Sequence, residues 1–420
     1  MNATSHKIEK LSSLIEVGTL INSTLDLSEL LGLIMKIVEK VMECNVSSLM
    51  LIDEAANELV FQVATGETGG TLKEKFRLKI GQGIAGWVAE HNEPLLVKDV
   101  QKDPRFYSKP DESTGFITRS ILCVPMRVKE KIIGILQAIN PVHQETFCEE
   151  DIEIFMAFAN QSAIAIENAR MHKEMMDKQR IEQELDFARQ IQETFMPDVL
   201  PDLKGLSVFA HNAPAREVSG DFYDVLEFSP KEYGVVFGDV SGKGVPSGLY
   251  MVKTISAMRF EANKDTLPHV VLDSVNKSLS LKPQFGMFST MFYMIFNLQV
   301  QTVTFSNAGH IPPLLVDHKK KTLEEIKEAQ SSPLGIFSEV TYTSHTIPWT
   351  DSKEILLFTD GIIEARNNKK EEYGFPRLEN VIKKNYGHPG LSIQILDSVH
   401  QFVGDAPQHD DMTLVSVVCS

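Results

Sequence analysis

Apolar residues recur at helical spacing over about Ile8 to Met42: Leu11, Leu14, Ile15, Leu20 and Ile21, then Leu30, Leu31, Ile34, Ile37 and Val38. That stretch is expected to be helix. Ser47–Asp53 and Leu59–Ala64 then read as a hairpin across Ala55, Ala56 and Asn57. Phe76–Ile80, Leu95–Val97, Ser120–Val128 and Ile132–Ile139 are further strand candidates. A helix should start after Thr146, because Glu149, Glu150 and Asp151 suit the positive end of its dipole. No Pro or Gly lies between Ile152 and Phe195, so this helix should run on as one piece. Ile164, Met171, Met175, Ile181, Leu185, Ala188 and Phe195 form an approximate heptad seam, broken by Lys178 and Gln192. Two readings fit it: a dimeric coiled coil, or a single amphipathic helix lying on a domain.

Pro197 and Pro201 stop the helix and mark a boundary. The chain then becomes strand-rich, with candidates at Phe222–Phe228, Tyr233–Val240, Thr290–Leu298, Thr302–Ser306, Pro313–Val316, Ile355–Thr359 and Thr413–Val418. Helical stretches interleave at Pro246–Ala262, Pro268–Leu279 and Leu391–Val403. The expected division is a first domain over 1–160, a helical linker over 161–198 and a second domain over 199–420.

Composition narrows the function. With 43% hydrophobic and 23% charged residues, the 420-residue chain reads as globular. Its net charge of −16 repels nucleic-acid phosphates and anionic lipid, so neither is an expected partner. An enzyme acting on phosphate would need cations at its site. The four cysteines are scattered and include no CxxC pair, which argues against a disulfide framework or a zinc site. The N-terminal segment has no apolar signal core, and no stretch reaches the roughly 20 apolar residues of a membrane span. A cytoplasmic protein is expected.

The chemistry concentrates in acidic residues at strand ends: Asp221, Asp239, Asp360, and the pair Asp410 and Asp411. Each lies beside an apolar run, where a free carboxylate is costly. A hairpin turning at Ser229, Pro230 and Lys231 would set Asp221 opposite Asp239. Facing carboxylates in a sheet repel, and hard oxygen donors without His or Cys suit Mg²⁺ or Mn²⁺. Any one of these residues alone reads equally well as an ordinary strand-end aspartate. Asp224 points to the opposite face from Asp221 by strand alternation and is left out. Gly242 and Gly244 permit a tight turn after Asp239, which exposes backbone carbonyls, that of Val240 nearest. Pro246 and Ser247 then suit a helix start.

Seven segments in order carry a family resemblance: Glu184–Pro197, Ser219–Asp224, Gly238–Pro246, Asn307–Pro312, Ser332–Ile336, Phe358–Ala365 and Asp410–Leu414. They resemble the metal-dependent (type 2C, PPM-type) protein serine/threonine phosphatases, in the bacterial branch with RsbU- and SpoIIE-like regulators. The resemblance implies an αββα sandwich with two divalent cations, Mn²⁺ or Mg²⁺, between loops at one end of the sheets. It implies that Asp239 bridges the cations with the Val240 carbonyl as a further ligand, that Asp360 and Asp410 complete one shell, and that Asp221 serves the other side. Asp411 ranks second. Ser247 and Gly248 depart from the branch, which commonly has two alanines there. No protein nucleophile is expected: His310 reads as structural, and Ser219 and Ser241 have no base adjacent in sequence. Phosphate-ester hydrolysis needs no such nucleophile when metal ions acidify the attacking water.

The first half, about Leu11 to Arg170, resembles a GAF domain through Gly81–Trp87, Val97–Pro104 and Ser120–Met126. Gly81, Gly83 and Gly86 spell GxGxxG, but without a βαβ unit and a following acidic residue they read as turn glycines. The signature of cyclic-nucleotide-binding GAF domains is only partly present, at Asn140, Phe147 and Asp151. Another small molecule, or dimerisation alone, stays open. The fold class expected is therefore α+β: an N-terminal GAF domain with an antiparallel sheet, a long helical linker and a C-terminal αββα sandwich.

The functional expectation is a GAF-regulated phosphatase acting on a phosphoserine or phosphothreonine protein, an anti-anti-sigma-factor-like one by resemblance, and a homodimer through the linker. The alternatives are a catalytically inactive partner-switching scaffold, which would be expected to lose acidic ligands, and a nucleotide cyclase, which would not need Asp360 and Asp410.

Overall fold

A computed structural model describes residues 21, 23–64, 77–197, 199–201, 203–216, 218–281 and 286–419. The chain divides into two compact units, Met1–Arg180 and Ile181–Ser420. The boundary falls inside one unbroken helix.

In the first unit, α1 (Leu27–Met42) starts at Asp26, whose carboxylate accepts a hydrogen bond from the Glu29 N–H. The single helix expected from Ile8 is therefore interrupted before Leu27; residues 1–20 lie outside the described residues. Next come β1 (Cys44–Asp53), β2 (Glu58–Ala64), β3 (Arg77–Lys79), α2 (Gly83–His91), β4 (Leu95–Val97), α3 (Lys109–Thr114), β5 (Ile121–Val128) and β6 (Lys131–Pro141). The sheet is antiparallel, in the order β3-β2-β1-β6-β5-β4. The hairpin turn of β1 and β2 carries Asn57 at φ 54°, a left-handed position that Asn tolerates. Leu30, Ile34 and Val38 of α1 pack with Leu49, Leu122 and Leu136 on one sheet face. Ile84 and Val88 of α2 cover Met50, Cys123 and Ile135 on the other. The GxGxxG glycines thus serve a strand-to-helix turn: a Cβ on Gly86 would lie 2.7 Å from the Lys79 carbonyl oxygen.

The long helix is α4, Glu149–Glu193, 45 residues. Its first turns bury Phe155, Phe158 and Ile166 in the first unit's core. Farther along, Ile164, Met171, Met175, Ile181 and Ile191 are exposed.

The second unit is a four-layer sandwich. Its elements are β7 (Ser207–Ala213), β8 (Phe222–Ser229), β9 (Glu232–Val240), α5 (Val245–Glu261), α6 (Pro268–Ser280), β10 (Ser289–Asn297), β11 (Thr302–Ala308), β12 (Leu314–Asp317), β13 (Thr322–Glu325), β14 (Gln330–Ser331), β15 (His345–Pro348), β16 (Lys353–Phe358), α7 (Asp360–Ile363), α8 (Phe375–Lys384), α9 (Leu391–Val403) and β17 (Met412–Val418). One sheet runs β14-β11-β10-β9-β8, with β15 also on β11; the other runs β13-β12-β16-β17-β7. Phe237, Phe292 and Phe305 of the first sheet pack against Ile355, Leu357, Val415 and Val417 of the second. Met251 and Ile255 of α5 with Leu272 of α6 cover the first sheet's outer face. Leu378 and Ile382 of α8 with Ile395 of α9 cover the second's. Alternation along each strand feeds these two interfaces, so every central strand is buried on both sides. Among the described residues no helix is long and apolar enough to cross a membrane.

Candidate metal centre

The hairpin of β8 and β9 pairs Phe222 with Gly238. One step beyond that pair, Asp221 and Asp239 stand across from each other; Ser229 pairs with Glu232, and an irregularity between Glu227 and Ser229 shifts the register by the one residue this needs. Their carboxyl groups are close enough to bear on each other's ionisation. Asp221 is 2% exposed, and its Oδ2 accepts from Thr359 Oγ1 at 2.8 Å and Thr413 Oγ1 at 2.6 Å. Both threonines come from the other sheet: Thr359 follows β16 and Thr413 lies in β17. Asp360 opens α7 directly after Thr359. Asp410 precedes β17, its Oδ2 accepting from Lys243 Nζ at 2.7 Å and its Oδ1 from the Asp411 N–H at 3.1 Å. Loops from both sheets thus meet at one end of the sandwich.

Two glycines allow this approach. A Cβ on Gly220 would lie 2.9 Å from the Val240 carbonyl oxygen and 3.2 Å from Asp239 Oδ1. A Cβ on Gly361 would lie 1.9 Å from the Asp411 carbonyl oxygen, which no side chain survives. The Val240 carbonyl accordingly faces the turn that carries Asp221.

The electrostatics is that of crowded anions. Burial, then the neighbouring Asp239, push Asp221 well above the usual carboxylate range. Burial and the Asp360 charge raise Asp239 to about 7, eased by the neighbouring Asp221 carboxyl. Burial and Asp410 raise Asp360. Each group is held back from ionising by its environment and its neighbours, which is the condition that a cation relieves. The donors are all hard oxygens, so the set fits Mg²⁺ or Mn²⁺. Among the described residues, however, no three His, Cys, Asp or Glu side chains converge on one point at coordinating distance. Two contacts account for part of that spread: one Asp221 oxygen is turned to the threonines, and Asp410 is turned to Lys243.

Asp411 behaves differently from Asp410. Its Oδ1 accepts from the Ala215 N–H at 2.7 Å, and its Oδ2 accepts from Ser219 Oγ at 2.8 Å and the Gly220 N–H at 3.0 Å. It ties down the turn that presents Asp221. Ser219, which has no base adjacent in sequence, meets this carboxylate through the fold. The hydroxyl also accepts from the Asp221 N–H and is buried, so it is a strut. Ser241 Oγ accepts from the Phe288 N–H. Asp224 faces away, as alternation requires, and pairs with Arg259 at 2.6 Å.

His310 is buried, its backbone clasped by Asn307 in both directions. Its Nδ1 lies 2.9 Å from Thr290 Oγ1, and that hydroxyl lies 3.3 Å from the Asp239 carbonyl oxygen. Burial lowers its pKa to about 4, so it is a neutral prop behind Asp239.

Sequence reasoning missed several contributors. Thr359 and Thr413 sit inside recognised segments, but only the approach of the two sheets brings them to Asp221. Gln192 looked like a defect in the heptad seam. Its Nε2 instead donates to the Ser219 carbonyl and its Oε1 accepts from the Ser219 N–H at 3.2 Å. Gly248, a departure from the expected alanine, has a close-packing reason: a Cβ there would lie 2.2 Å from Val218 Cγ1 and 3.1 Å from Gln192 Nε2.

A four-layer sandwich with an aspartate cluster between its sheets defines a class, and comparison with known proteins agrees. Residues 229–419 match the family "Stage II sporulation protein E (SpoIIE)", and residues 26–166 match the GAF domain. The chain therefore carries a GAF domain followed by a PPM-type serine/threonine phosphatase domain of the SpoIIE kind. Among curated proteins it is 29% identical to phosphoserine phosphatase RsbU of Bacillus subtilis (strain 168) over 243 residues, covering 57% of this chain and 70% of RsbU. It is 26% identical to protein IcfG of Synechocystis sp. over 265 residues, covering 56% of this chain and 41% of IcfG. Among solved structures, the SiaA-PP2C domain of Pseudomonas aeruginosa aligns with a TM-score of 0.50 and 21% identity, over 57% of this chain and 97% of that one. That likeness is one of fold.

Proposed function

We propose that this chain is a metal-dependent phosphoprotein phosphatase, controlled by its GAF domain, that hydrolyses phosphoserine or phosphothreonine in an anti-anti-sigma-factor-like protein. The observation that carries the reading is the buried Asp221–Asp239 pair, held up in pKa by burial first and then by neighbouring carboxylates, and fed by loops from both sheets. Asp239 would serve both of two Mn²⁺ or Mg²⁺ ions with the Val240 carbonyl as a further ligand, Asp360 and Asp410 would serve one, and Asp221 the other. When bound, such ions supply charge neutralisation for phosphoryl oxygens and acidify the attacking water. The protein's own part is positional: Thr359 and Thr413 orient Asp221, Asp411 fixes its turn, and His310 through Thr290 supports the Asp239 backbone. Neither Ser219 nor Ser241 is proposed as a covalent nucleophile, because both hydroxyls are bound as struts.

The domain division 1–160, 161–198 and 199–420, a cytoplasmic location, and a homodimer through α4 belong to the same proposal. The exposed apolar residues of α4 support the dimer, because a lone helix seldom leaves such a row in water. A small-molecule ligand of the GAF domain is its proposed input.

The deciding assay gives purified protein p-nitrophenyl phosphate and a phosphoserine protein with and without Mn²⁺, alongside Asp239→Asn. Metal-dependent release of phosphate is expected, with a loss of at least about 10³-fold in the variant, as for removal of a central charged group. A folded wild type with no metal-dependent hydrolysis would leave the inactive scaffold as the better reading. Full activity in Asp239→Asn would remove the site assignment.

A further inference from the structure

Among the described residues, Lys243 is a cation in direct contact with the acid cluster. Among the described residues, the ion pair to the set Asp221, Asp239, Asp360 and Asp410 is that of Lys243 with Asp410. The nearby Arg366 is engaged by Glu372 at 2.9 Å. Lys243 Nζ also donates to the His409 carbonyl oxygen at 3.1 Å, and its side chain is 37% exposed. It sits in a short free span. On one side the Ser241 N–H donates to the Phe288 carbonyl and Ser241 Oγ accepts from the Phe288 N–H. On the other, Ser247 Oγ donates to the Gly244 carbonyl. Between these anchors, Gly242 and Gly244 have φ of 94° and 78°, and a Cβ on either would meet nothing within 4 Å. The loop is unpacked at both flanks of the lysine, so the ammonium can change partner without disturbing the core.

Two kinds of cation compete for the same carboxylate oxygen here. An ammonium on Asp410 Oδ2 and a divalent ion on Asp410 exclude each other by charge and space. A lysine displaced from Asp410 keeps three donors and a full charge at the mouth of the cluster. A phosphate dianion arriving at a protein of net charge −16 needs such a partner.

We propose that Lys243 is a movable substrate-binding cation: it pairs with Asp410 until a divalent ion takes that carboxylate, and then turns to the phosphoryl oxygens of the substrate. The inference rests on the phosphatase reading and makes metal loading and substrate capture successive uses of one side chain.

The test uses the full chain as wild type, Lys243→Gln and Lys243→Arg. Calorimetric titration with Mn²⁺ alone should show Lys243→Gln binding the ion roughly three- to tenfold more tightly, because a competitor is gone. Titration of the Mn²⁺-saturated proteins with inorganic phosphate should show the reverse, roughly tenfold weaker binding in Lys243→Gln and recovery in Lys243→Arg. In turnover, KM for a phosphoserine protein should rise about tenfold while kcat changes less than about threefold. Unchanged or weaker Mn²⁺ binding, or unchanged phosphate binding, in Lys243→Gln would overturn the proposal. Absence of hydrolysis in the wild type would count against the phosphatase reading, while the two titrations still decide the role of Lys243.

Discussion

At the residue scale, two adjacent aspartates with the same neighbours in sequence do opposite work. Asp410 faces Lys243 and the acid cluster, whereas Asp411 satisfies three donors of the 215–220 turn. Asp411→Ala should therefore destabilise the metal-free protein by about 3 kcal/mol, since it strands buried donors. Asp360→Asn should raise the thermal midpoint while abolishing hydrolysis, because it removes a carboxylate whose ionisation is opposed by burial and by Asp410. Differential scanning calorimetry on both variants checks the contrast. The raised pKa of Asp239 carries a definite sign. Its folded value of about 7 lies above the ordinary carboxylate value, so its contribution to stability is present at low pH and is lost as pH rises towards 7. The stability gained by Asp239→Asn should thus grow from about pH 4 and level off near pH 7 in the absence of metal. Mn²⁺ affinity should fall about tenfold for each pH unit below 7, as one proton is displaced on binding. A flat calorimetric profile over that range would contradict both statements.

At the element scale, the end of α4 and the start of α5 are joined to the Asp221 turn. Gln192 forms a two-hydrogen-bond clamp on Ser219, whose hydroxyl receives the Asp221 N–H, and Gly248 of α5 leaves room for it. Alanine at position 248 would improve helix propensity by about 1 kcal/mol, yet its methyl group would collide with Val218. Gly248→Ala is expected to lower the thermal midpoint and reduce Mn²⁺ affinity, and Gln192→Ala to do the latter with a smaller stability cost of about 1–2 kcal/mol. Arg259, on the next turns of α5, ties the same region by pairing with Asp224 and donating to the Phe195 carbonyl. For α4 itself, Met171→Glu with Met175→Glu should shift a dimer to monomer in analytical ultracentrifugation. A wild type that stays monomeric at all concentrations would remove the coiled coil.

At the scale of the whole molecule, the net charge of −16 acts on the substrate before any contact forms. Long-range repulsion of an acidic phosphoprotein is screened over about 8 Å at physiological ionic strength. Raising salt from about 10 mM to 150 mM should therefore increase kcat/KM several-fold for an acidic phosphopeptide and leave a neutral-flanked one nearly unchanged. Stopped assays on matched peptides measure this directly. An equal response of the two peptides would place the effect in the protein rather than in the encounter.

The sequence by itself determined the order of elements, the α+β class of both halves and the 45-residue helix, because period and chain-breaking residues are local properties. It also set Asp221 opposite Asp239, since a short turn leaves few registers; an irregularity between Glu227 and Ser229 selects the one observed. Its limits were equally local. The break before Leu27 depends on the cap at Asp26, and β7, α2 and β13–β15 have apolar patterns too short or too mixed to stand alone, whereas α8 is amphipathic but lies outside the expected helices. Only the tertiary structure decided which polar residues meet. Thr359 and Thr413 reach Asp221 across two sheets, Asp411 reaches a turn 191 residues away, and Gln192 leaves the heptad seam to hold Ser219. The physical reason is that periodicity reports which face of an element is buried, whereas a hydrogen bond between distant segments exists only once packing has fixed their separation.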